Sequence, residues 1–182
     1  MNRSLSLMTT LSSVALAVVA GAAAAPGLDA AKSTLIVTFT QEKVPVDAPF
    51  KHFNGRIDYD PALSNTSKAA LEVTTGSLDL GSEDYNAEVR KKDWLDSATY
   101  PTASFISTTI KPGAAGHFDA TGVLTLKGKT QTLTVPVTVS KVGMATSFDG
   151  QLSISRGYFG IGDADWNDVL DDKVRIKFHI VE

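Results

Sequence analysis

The sequence predicts an all-β domain of eight antiparallel strands, arranged as a barrel or a sandwich, with one short helix. Three observations support this fold class. Several short stretches alternate apolar and polar residues with a period of two, as in strands that have one wet and one dry face. Gly, Pro, Asn and Asp separate these stretches at short intervals, which is typical of all-β domains and not of βαβ units. Only one segment has helical composition.

The predicted helix lies in residues 82–96, which read SEDYNAEVRKKDWLD. Tyr85 and Val89 are four residues apart, so they share one helix face. We expect this helix to lie over one end of the barrel, with Trp94 and Leu95 after it as part of a lid. The predicted strands are Thr34–Thr40, Phe53–Asp60, Ala69–Ser77, Ala103–Lys111, His117–Lys127, Thr130–Lys141, Ala145–Arg156 and Lys173–Val181.

One hairpin is specific enough for its register to be predicted. Gly128 and Lys129 suit a two-residue turn with glycine in the first position. Pairing outward from this turn places Leu124 opposite Leu133, and it puts the apolar residues of both strands on one face. Because a slip of one residue would reverse the faces, the agreement of the two strands supports a common dry side.

The sequence leaves open what the dry side contacts. A closed eight-stranded barrel has an interior just wide enough for its own side chains or for one small ligand. Gly55, Gly122 and Gly150 fall on inward positions, where they either leave room for a slender apolar guest or serve barrel curvature alone. An outer-membrane barrel, whose apolar rows face lipid, has the same period and is the rival interpretation.

Composition and the first residues predict an exported single domain. The chain has 182 residues, 43% of them hydrophobic, and a net charge of −3 without a basic run that would favour nucleic acid. Residues 1–24 combine Arg3, an apolar stretch and alanines, which is typical of a secretory signal peptide. We therefore expect a periplasmic domain over residues 25–182. The chain contains no cysteine, so it has neither disulfides nor thiol chemistry.

The sequence offers little for catalysis or metal binding. His52, His117 and His179 are far apart and lack ligand spacing, and no nucleophile elbow or phosphate loop occurs. Residues 163–174 begin like a calcium loop, but they carry Asp168 at the glycine position and Val174 at the glutamate position. We expect no enzyme and no metal site. A barrel enzyme acting on a small apolar substrate would need an inward carboxylate or histidine, and none falls on the predicted dry face.

Four stretches resemble the YceI-like family of exported polyisoprenoid-binding proteins, in the family's order. They are residues 50–61 (FKHFNGRIDYDP), 92–108 (KDWLDSATYPTASFIST), 122–137 (GVLTLKGKTQTLTVPV) and 154–162 (ISRGYFGIG). The resemblance implies a lipocalin-like barrel that carries a long isoprenoid lipid, of quinone or polyprenyl type, in an apolar pore. Trp94 and the Asp165-Trp166 loop resemble members found near membrane b-type cytochromes. That likeness favours a quinone and a transient contact with the membrane or such a cytochrome.

The resemblance implies a row of apolar ligand contacts and not a catalytic motif. No cofactor is implied besides the lipid itself. Arg156 matches the family's arginine before an aromatic-Gly pair, and a structural ion pair and head-group recognition both remain open for it. The matching pore positions are Phe53, Ile57, Phe105, Leu124, Leu133, Val135, Phe148, Ile154 and Phe178, with Phe159 and Trp166 expected beside the pore mouth.

Overall fold

A computed structural model describes residues 27–64 and 66–182, so the predicted signal peptide lies outside the described residues. Within them the chain forms nine strands, one α-helix and two 3₁₀ turns. The helix is α1 (Glu83–Val89), and the 3₁₀ turns are Thr75–Ser77 and Ala164–Trp166. The strands are β1 (Thr34–Gln41), β2 (Val44–Pro49), β3 (Phe53–Asp58), β4 (Lys68–Thr74), β5 (Thr102–Pro112), β6 (His117–Leu126), β7 (Lys129–Val142), β8 (Ala145–Ser155) and β9 (Lys173–Val181).

The strands form one antiparallel sheet in the order β2-β1-β9-β8-β7-β6-β5-β4-β3. Its two edge strands, β2 and β3, follow each other in the chain and run in the same direction. Between them the Phe50 N–H donates to the Leu35 carbonyl at 2.9 Å, and the Lys51 N–H donates to the Ser77 carbonyl at 3.0 Å. At this point the chain stops pairing with β1 and begins to pair with the segment that follows β4. β2 and β3 are two halves of one broken strand, which curls the sheet into a barrel of eight strand positions.

The predicted all-β barrel with one short helix is confirmed, with one strand more than expected. The additional strand is β2, which reads VPVDAP. Pro45 and Pro49 weaken its strand signal, because proline cannot donate to a ladder and is confined to edges and strand ends. β2 tolerates both prolines because it pairs with β1 alone, at the edge of the sheet.

The hairpin between β6 and β7 has a register two residues away from the predicted one. Its turn consists of Lys127 and Gly128, which have φ angles of 48° and 73°. Two positive φ angles define the type I′ turn that matches strand twist. Leu124 therefore lies opposite Gln131 and not opposite Leu133. Because the shift is an even number of residues, the inward and outward faces stay as predicted.

The apolar rows of the strands face the interior of the barrel. In β7, Val135 and Val137 are buried, whereas Thr134 and Thr138 on either side of them are exposed. This orientation disfavours the outer-membrane interpretation, in which the apolar row would face outward. No helix in the described ranges is long and apolar enough to cross a membrane.

Candidate functional site: an apolar cavity inside the barrel

The barrel encloses a cavity of about 450 Å³. This volume falls within the range of about 300–1,000 Å³ that is typical of small-molecule pockets. Aliphatic and aromatic side chains from the inward rows of the strands, together with those of α1 and the irregular segments, supply most of the wall. An apolar wall of this size favours a ligand with a large apolar part, because burial of apolar surface is the main gain on binding.

One end of the cavity, the floor, is closed by packed aromatic and aliphatic side chains. Phe118 stacks on Tyr59 with ring centroids 4.3 Å apart and meets Phe148 edge-on at 6.3 Å. Ile180 belongs to the same buried cluster, and Leu28 packs against it from the segment before β1. The floor is therefore built by dense side-chain packing.

The other end, the mouth, reaches solvent beside α1. Tyr85 and Trp166 both line the cavity, and they are 65% and 37% exposed. Val89 on α1 and Trp94 after it line the cavity as well, so the expected helix over one barrel end is confirmed. The rings of Trp94 and Trp166 meet edge-on, with centroids 4.9 Å apart.

The segment 156–172, which frames the mouth, is tied to its surroundings through backbone hydrogen bonds. The Gly162 N–H donates to the Asp93 carbonyl at 2.8 Å, which joins the segment to the chain after α1. On the opposite side the Glu42 N–H donates to the Val169 carbonyl at 2.8 Å, which joins it to the turn after β1. The segment thus bridges the helix and the β1–β2 turn.

Arg156 holds this segment from inside. It is only 4% exposed, and its Nε donates to the Asp171 carbonyl at 3.2 Å and its Nη1 to the Ile161 carbonyl at 3.0 Å. Its Nη2 donates to Asn167 Oδ1 at 2.9 Å and to the Leu170 carbonyl at 3.1 Å. Within the described residues it forms no salt bridge, so the structural ion pair is not the arrangement found. The buried charge is instead stabilised by carbonyl dipoles.

Asp172 closes the base of the same segment. The backbone N–H of Gly157 and the hydroxyl of Ser155 donate to its Oδ1 at 2.9 and 3.0 Å, and both bonds lower the pKa of the carboxyl group. The positive charge of Arg156 lowers the same pKa further. The ionised form of Asp172 therefore stabilises the start of the segment against its end.

The inward glycines do not enlarge the cavity. A Cβ atom on Gly122 would lie 2.5 Å from the Ile106 carbonyl oxygen and 2.6 Å from the ring of Phe105. At Gly150 the ring of Phe178 occupies the corresponding space. These glycines let aromatic rings lie flat on the sheet, and both rings then form part of the cavity wall.

The structure places seven of the eleven predicted contact residues in the cavity wall. Four others are not in the wall. Phe148 and Phe159 are buried in the packed core, and Phe53 and Leu133 pack partly buried against it. These four lie behind the wall because alternation assigns a face but not a depth, and ligand contact stays a prediction for all eleven residues. The seven in the wall are Ile57, Phe105, Leu124, Val135, Ile154, Phe178 and Trp166.

The wall also contains residues that were not predicted as contacts. One group lies on inward strand positions, where the alternation itself could have found it. A second group lies in irregular segments that have no periodic signal. The first group includes Leu35, Val37, Leu152 and Ile176, and the second includes Leu78, Leu80, Ile161 and Leu170.

The cavity offers little for acid–base or metal chemistry. None of the histidines lies in the part of the wall that the structure describes. The carboxylate found in that part of the wall belongs to Asp171, at the mouth. His179 lies on the outer face, where its Nδ1 is 2.7 Å from Asp149 Oδ1. Across the described ranges, no three His, Cys, Asp or Glu side chains are grouped to hold a metal ion.

A small antiparallel barrel with an apolar cavity that is closed at one end and open at the other defines a class of ligand-binding β-barrel proteins. The YceI-like domain matches residues 27–181, and the chain belongs to this family. The family resemblance seen in the sequence is thereby confirmed.

Known relatives agree with this assignment. A UPF0312 protein from Pseudomonas savastanoi pv. phaseolicola is 31% identical over 122 residues, which cover 64% of this chain and 64% of the relative. The match therefore spans less than two thirds of the relative's length. A UPF0312 protein from Pseudomonas putida is 28% identical over 139 residues, or 72% of each chain.

Solved structures with the same fold include BcnA from Burkholderia cenocepacia. BcnA has a TM-score of 0.81 and 41% sequence identity, with 85% of this chain and 99% of that chain covered. A polyisoprenoid binding domain from Saccharophagus degradans has a TM-score of 0.70 and 17% identity, with coverage of 85% and 95%. The identity to the second structure is low, so that likeness shows the fold alone.

Proposed function

We propose that this protein binds and carries a long apolar lipid of the isoprenoid type, with a quinone or polyprenyl character, inside its barrel. The observation that carries the proposal is the apolar cavity of about 450 Å³ with an open mouth and a closed floor. The structural neighbour from Saccharophagus degradans is a polyisoprenoid binding domain, which supports the same ligand class.

The energetics of apolar burial suit this role. Each buried methylene contributes roughly 0.8 kcal/mol, so one five-carbon isoprene unit gains about 3–4 kcal/mol as an upper bound. Two or three units in the cavity would then provide micromolar affinity after the costs of association are subtracted. No reacting group is needed for such binding.

The geometry favours entry of the lipid with its tail first. The floor around Phe118 is apolar and densely packed, whereas the mouth carries Arg156 and Asp171. A tail directed at the floor would leave the polar head of the lipid among the polar groups of the mouth. The orientation of the ligand thus follows from the different chemistry of the two ends.

We further propose that residues 1–24 direct export and that the carrier works in the periplasm. There it would exchange its lipid in transient contact with the membrane or a b-type cytochrome. Intact mass measured on the protein produced from the full chain tests the export step. Loss of about the first 24 residues is expected, and retention of residues 1–24 in the exported fraction would contradict it.

A barrel enzyme is the less supported alternative. Such an enzyme would need an acid–base pair in the wall, and the described wall offers Asp171 without a histidine beside it. Replacement of His52, His117 and His179 together by Gln is expected to leave lipid binding intact. Loss of function in a folded triple variant would favour the enzyme.

The direct test is organic extraction of freshly purified protein followed by mass spectrometry. We expect about one isoprenoid lipid per chain, or stoichiometric uptake of an added isoprenoid quinone by the emptied protein. Absence of bound lipid together with absence of quinone uptake would overturn the proposal.

A further inference from the structure

Two neighbouring strands of the barrel, β7 and β8, are paired over only part of their length. Toward the mouth, their ladder ends at Val137 opposite Gly150 in the described residues, although both strands continue beyond that pair. Each strand stays paired with its other neighbour, β7 with β6 as far as Lys129 and β8 with β9 as far as Ser155. The mouth halves of β7 and β8 therefore form a seam in the barrel wall.

A proline explains why the ladder ends where it does. Because Lys129 closes the two-residue turn opposite Leu126, the odd-numbered residues of β7 direct their backbone groups to β6 and the even-numbered ones direct theirs to β8. Pro136 is the even-numbered residue at which pairing stops, and it has no N–H to donate. Beyond it, within the described residues, Thr134 and Thr132 have no ladder partner on β8.

The free edge of β3 is closed in a way that the seam is not. On the outer side of β3, the Leu28 N–H donates to the Gly55 carbonyl at 3.2 Å. The Ile57 N–H donates to a carboxylate oxygen of Glu182 at 2.8 Å. In the part of the chain that the structure describes, no backbone hydrogen bond joins the two edges of the β7–β8 seam beyond Pro136. The seam can therefore widen without breaking a ladder.

Residues 157–160, which directly follow β8, form a strap that reaches across the seam to β7. The Tyr158 hydroxyl donates to the Thr130 carbonyl at 2.7 Å. Lys129 Nζ donates to the Tyr158 carbonyl at 2.7 Å, and Lys127 Nζ donates to the Gly160 carbonyl at 2.6 Å. All three bonds use side-chain donors at the surface, so they can break and form again while the sheet stays intact.

The ring of Phe159 fills the space beneath the strap. It is only 1% exposed, and it belongs to one cluster with Ile154, against which Leu133 and Leu152 pack. Val135 on β7 and Leu152 on β8 line the cavity, whereas Phe159 and Leu133 lie behind this wall. Because Phe159 is part of the strap, a movement of the strap removes the ring that closes the seam.

We propose that the β7–β8 seam is a lateral gate, through which the tail of the lipid enters and leaves the cavity sideways when the strap moves aside. The inference rests on the proposed carrier function and adds a path of exchange to it. Gly160, with a φ of +68°, gives the end of the strap the backbone freedom to move. The tail passes through the seam first and the head stays at the mouth, so the orientation of the bound lipid is unchanged.

Pairs of introduced cysteines test the gate, because the chain contains no cysteine of its own. Continuing the ladder past Val137 and Gly150 places Thr134 opposite Ser153, and both are exposed. Thr134→Cys with Ser153→Cys, joined by dibromobimane, holds the seam closed. The matched control is Thr121→Cys with Thr134→Cys, which joins β6 to β7 at a ladder pair whose hydroxyl oxygens are 2.8 Å apart.

Exchange is measured with a short-tail isoprenoid benzoquinone. Stopped-flow quenching of the fluorescence of Trp94 and Trp166 reports uptake by the emptied protein, and dilution of the loaded protein into phosphatidylcholine vesicles reports release. We expect the seam cross-link to slow both rates at least about ten-fold with Kd unchanged within about two-fold, because a blocked path raises the barrier and leaves the bound state as it was. The control cross-link is expected to keep both rates within about two-fold of the wild type.

A milder variant tests the strap itself. Tyr158→Phe removes the bond to the Thr130 carbonyl and is expected to speed uptake and release about two- to five-fold, again with Kd unchanged. Tyr85→Phe, which removes the same hydroxyl group at the mouth, is the control and is expected to leave both rates unchanged. Equal rates in these two variants would contradict the role of the strap.

The outcomes separate the gate from the carrier function. Equal exchange rates in the two cross-linked proteins would overturn the gate and leave the carrier proposal in place. Failure of the folded Thr134→Cys/Ser153→Cys protein to cross-link would also overturn the gate, because a closed seam requires its two edges to lie side by side. Absence of any uptake by the wild-type protein would overturn both proposals.

Discussion

The floor and the mouth of the cavity are held together by different interactions. The floor consists of interlocking rings and aliphatic side chains on paired strands, with Phe118 in contact with Tyr59 and Phe148. The mouth consists of a segment with little regular structure, fixed to a buried Arg156 by bonds to carbonyl oxygens. The comparison shows that side-chain packing shapes the floor, whereas directional hydrogen bonds hold the mouth in place.

The largest effect is expected at the floor. Phe118→Ala removes a buried ring together with its stacking contacts. The loss is expected to lower the free energy of unfolding by about 3–5 kcal/mol. Urea denaturation followed by circular dichroism measures this change. A decrease in the free energy of unfolding of less than about 1 kcal/mol would show that side-chain packing does not stabilise the floor.

At the mouth, Arg156→Met is expected to cost about 2–4 kcal/mol, because several carbonyls of the segment lose their donor in a buried place. The matched control is Arg175→Met, which changes an exposed arginine on β9 and is expected to stay within about 0.5 kcal/mol of the wild type. Proteolysis should cut the Arg156→Met protein first within 157–172. Equal denaturation midpoints for the two variants would contradict the role given to Arg156.

A smaller effect is expected where the sheet is covered by an aromatic ring. Gly122→Ala places a Cβ against the Ile106 carbonyl and the Phe105 ring, and it should cost about 1–3 kcal/mol. Gly76→Ala is the control, since a Cβ there would meet the nearest atom, on Ser97, only at 3.7 Å. If Gly122→Ala were as stable as Gly76→Ala, the close ring contact would not be a constraint.

The smallest effect concerns pH. Bonds from Gly157 and Ser155 lower the pKa of Asp172 in the folded protein. A lowered folded-state pKa gives stability that is present above the unfolded value, near pH 4, and lost as pH falls through the folded value. The difference in stability between wild type and Asp172→Asn should therefore shrink below about pH 4. A constant difference between pH 7 and pH 3 would contradict this.

Much of the fold could be predicted because period-two alternation reports directly on a sheet with one buried face. β2 escaped prediction because Pro45 and Pro49 interrupt its signal, and only its edge position makes them acceptable. The β6–β7 register was missed because Lys127 adopts the positive φ that the sequence suggested for glycine alone. Neither feature is local, since both depend on what the neighbouring strand allows.

The cavity was less predictable than the fold. Alternation identified the inward rows, but it could not tell a residue at the wall, such as Val135, from one packed behind it, such as Phe148. The position of a glycine did not reveal that an aromatic ring from a neighbouring strand fills its space. The carbonyl partners of Arg156 come from an irregular segment, for which no sequence period exists.

The central claim is that the lipid lies inside the barrel, and native mass spectrometry of a cavity-filling variant tests it most directly. Ala120→Phe adds a ring at a buried wall position, whereas Thr132→Phe adds the same ring on the exposed face of β7. Val135→Phe replaces Ala120→Phe if circular dichroism shows the latter unfolded. We expect one bound lipid in the wild type and in Thr132→Phe, and none in the folded cavity-filling variant. Full lipid occupancy in that variant would contradict the account.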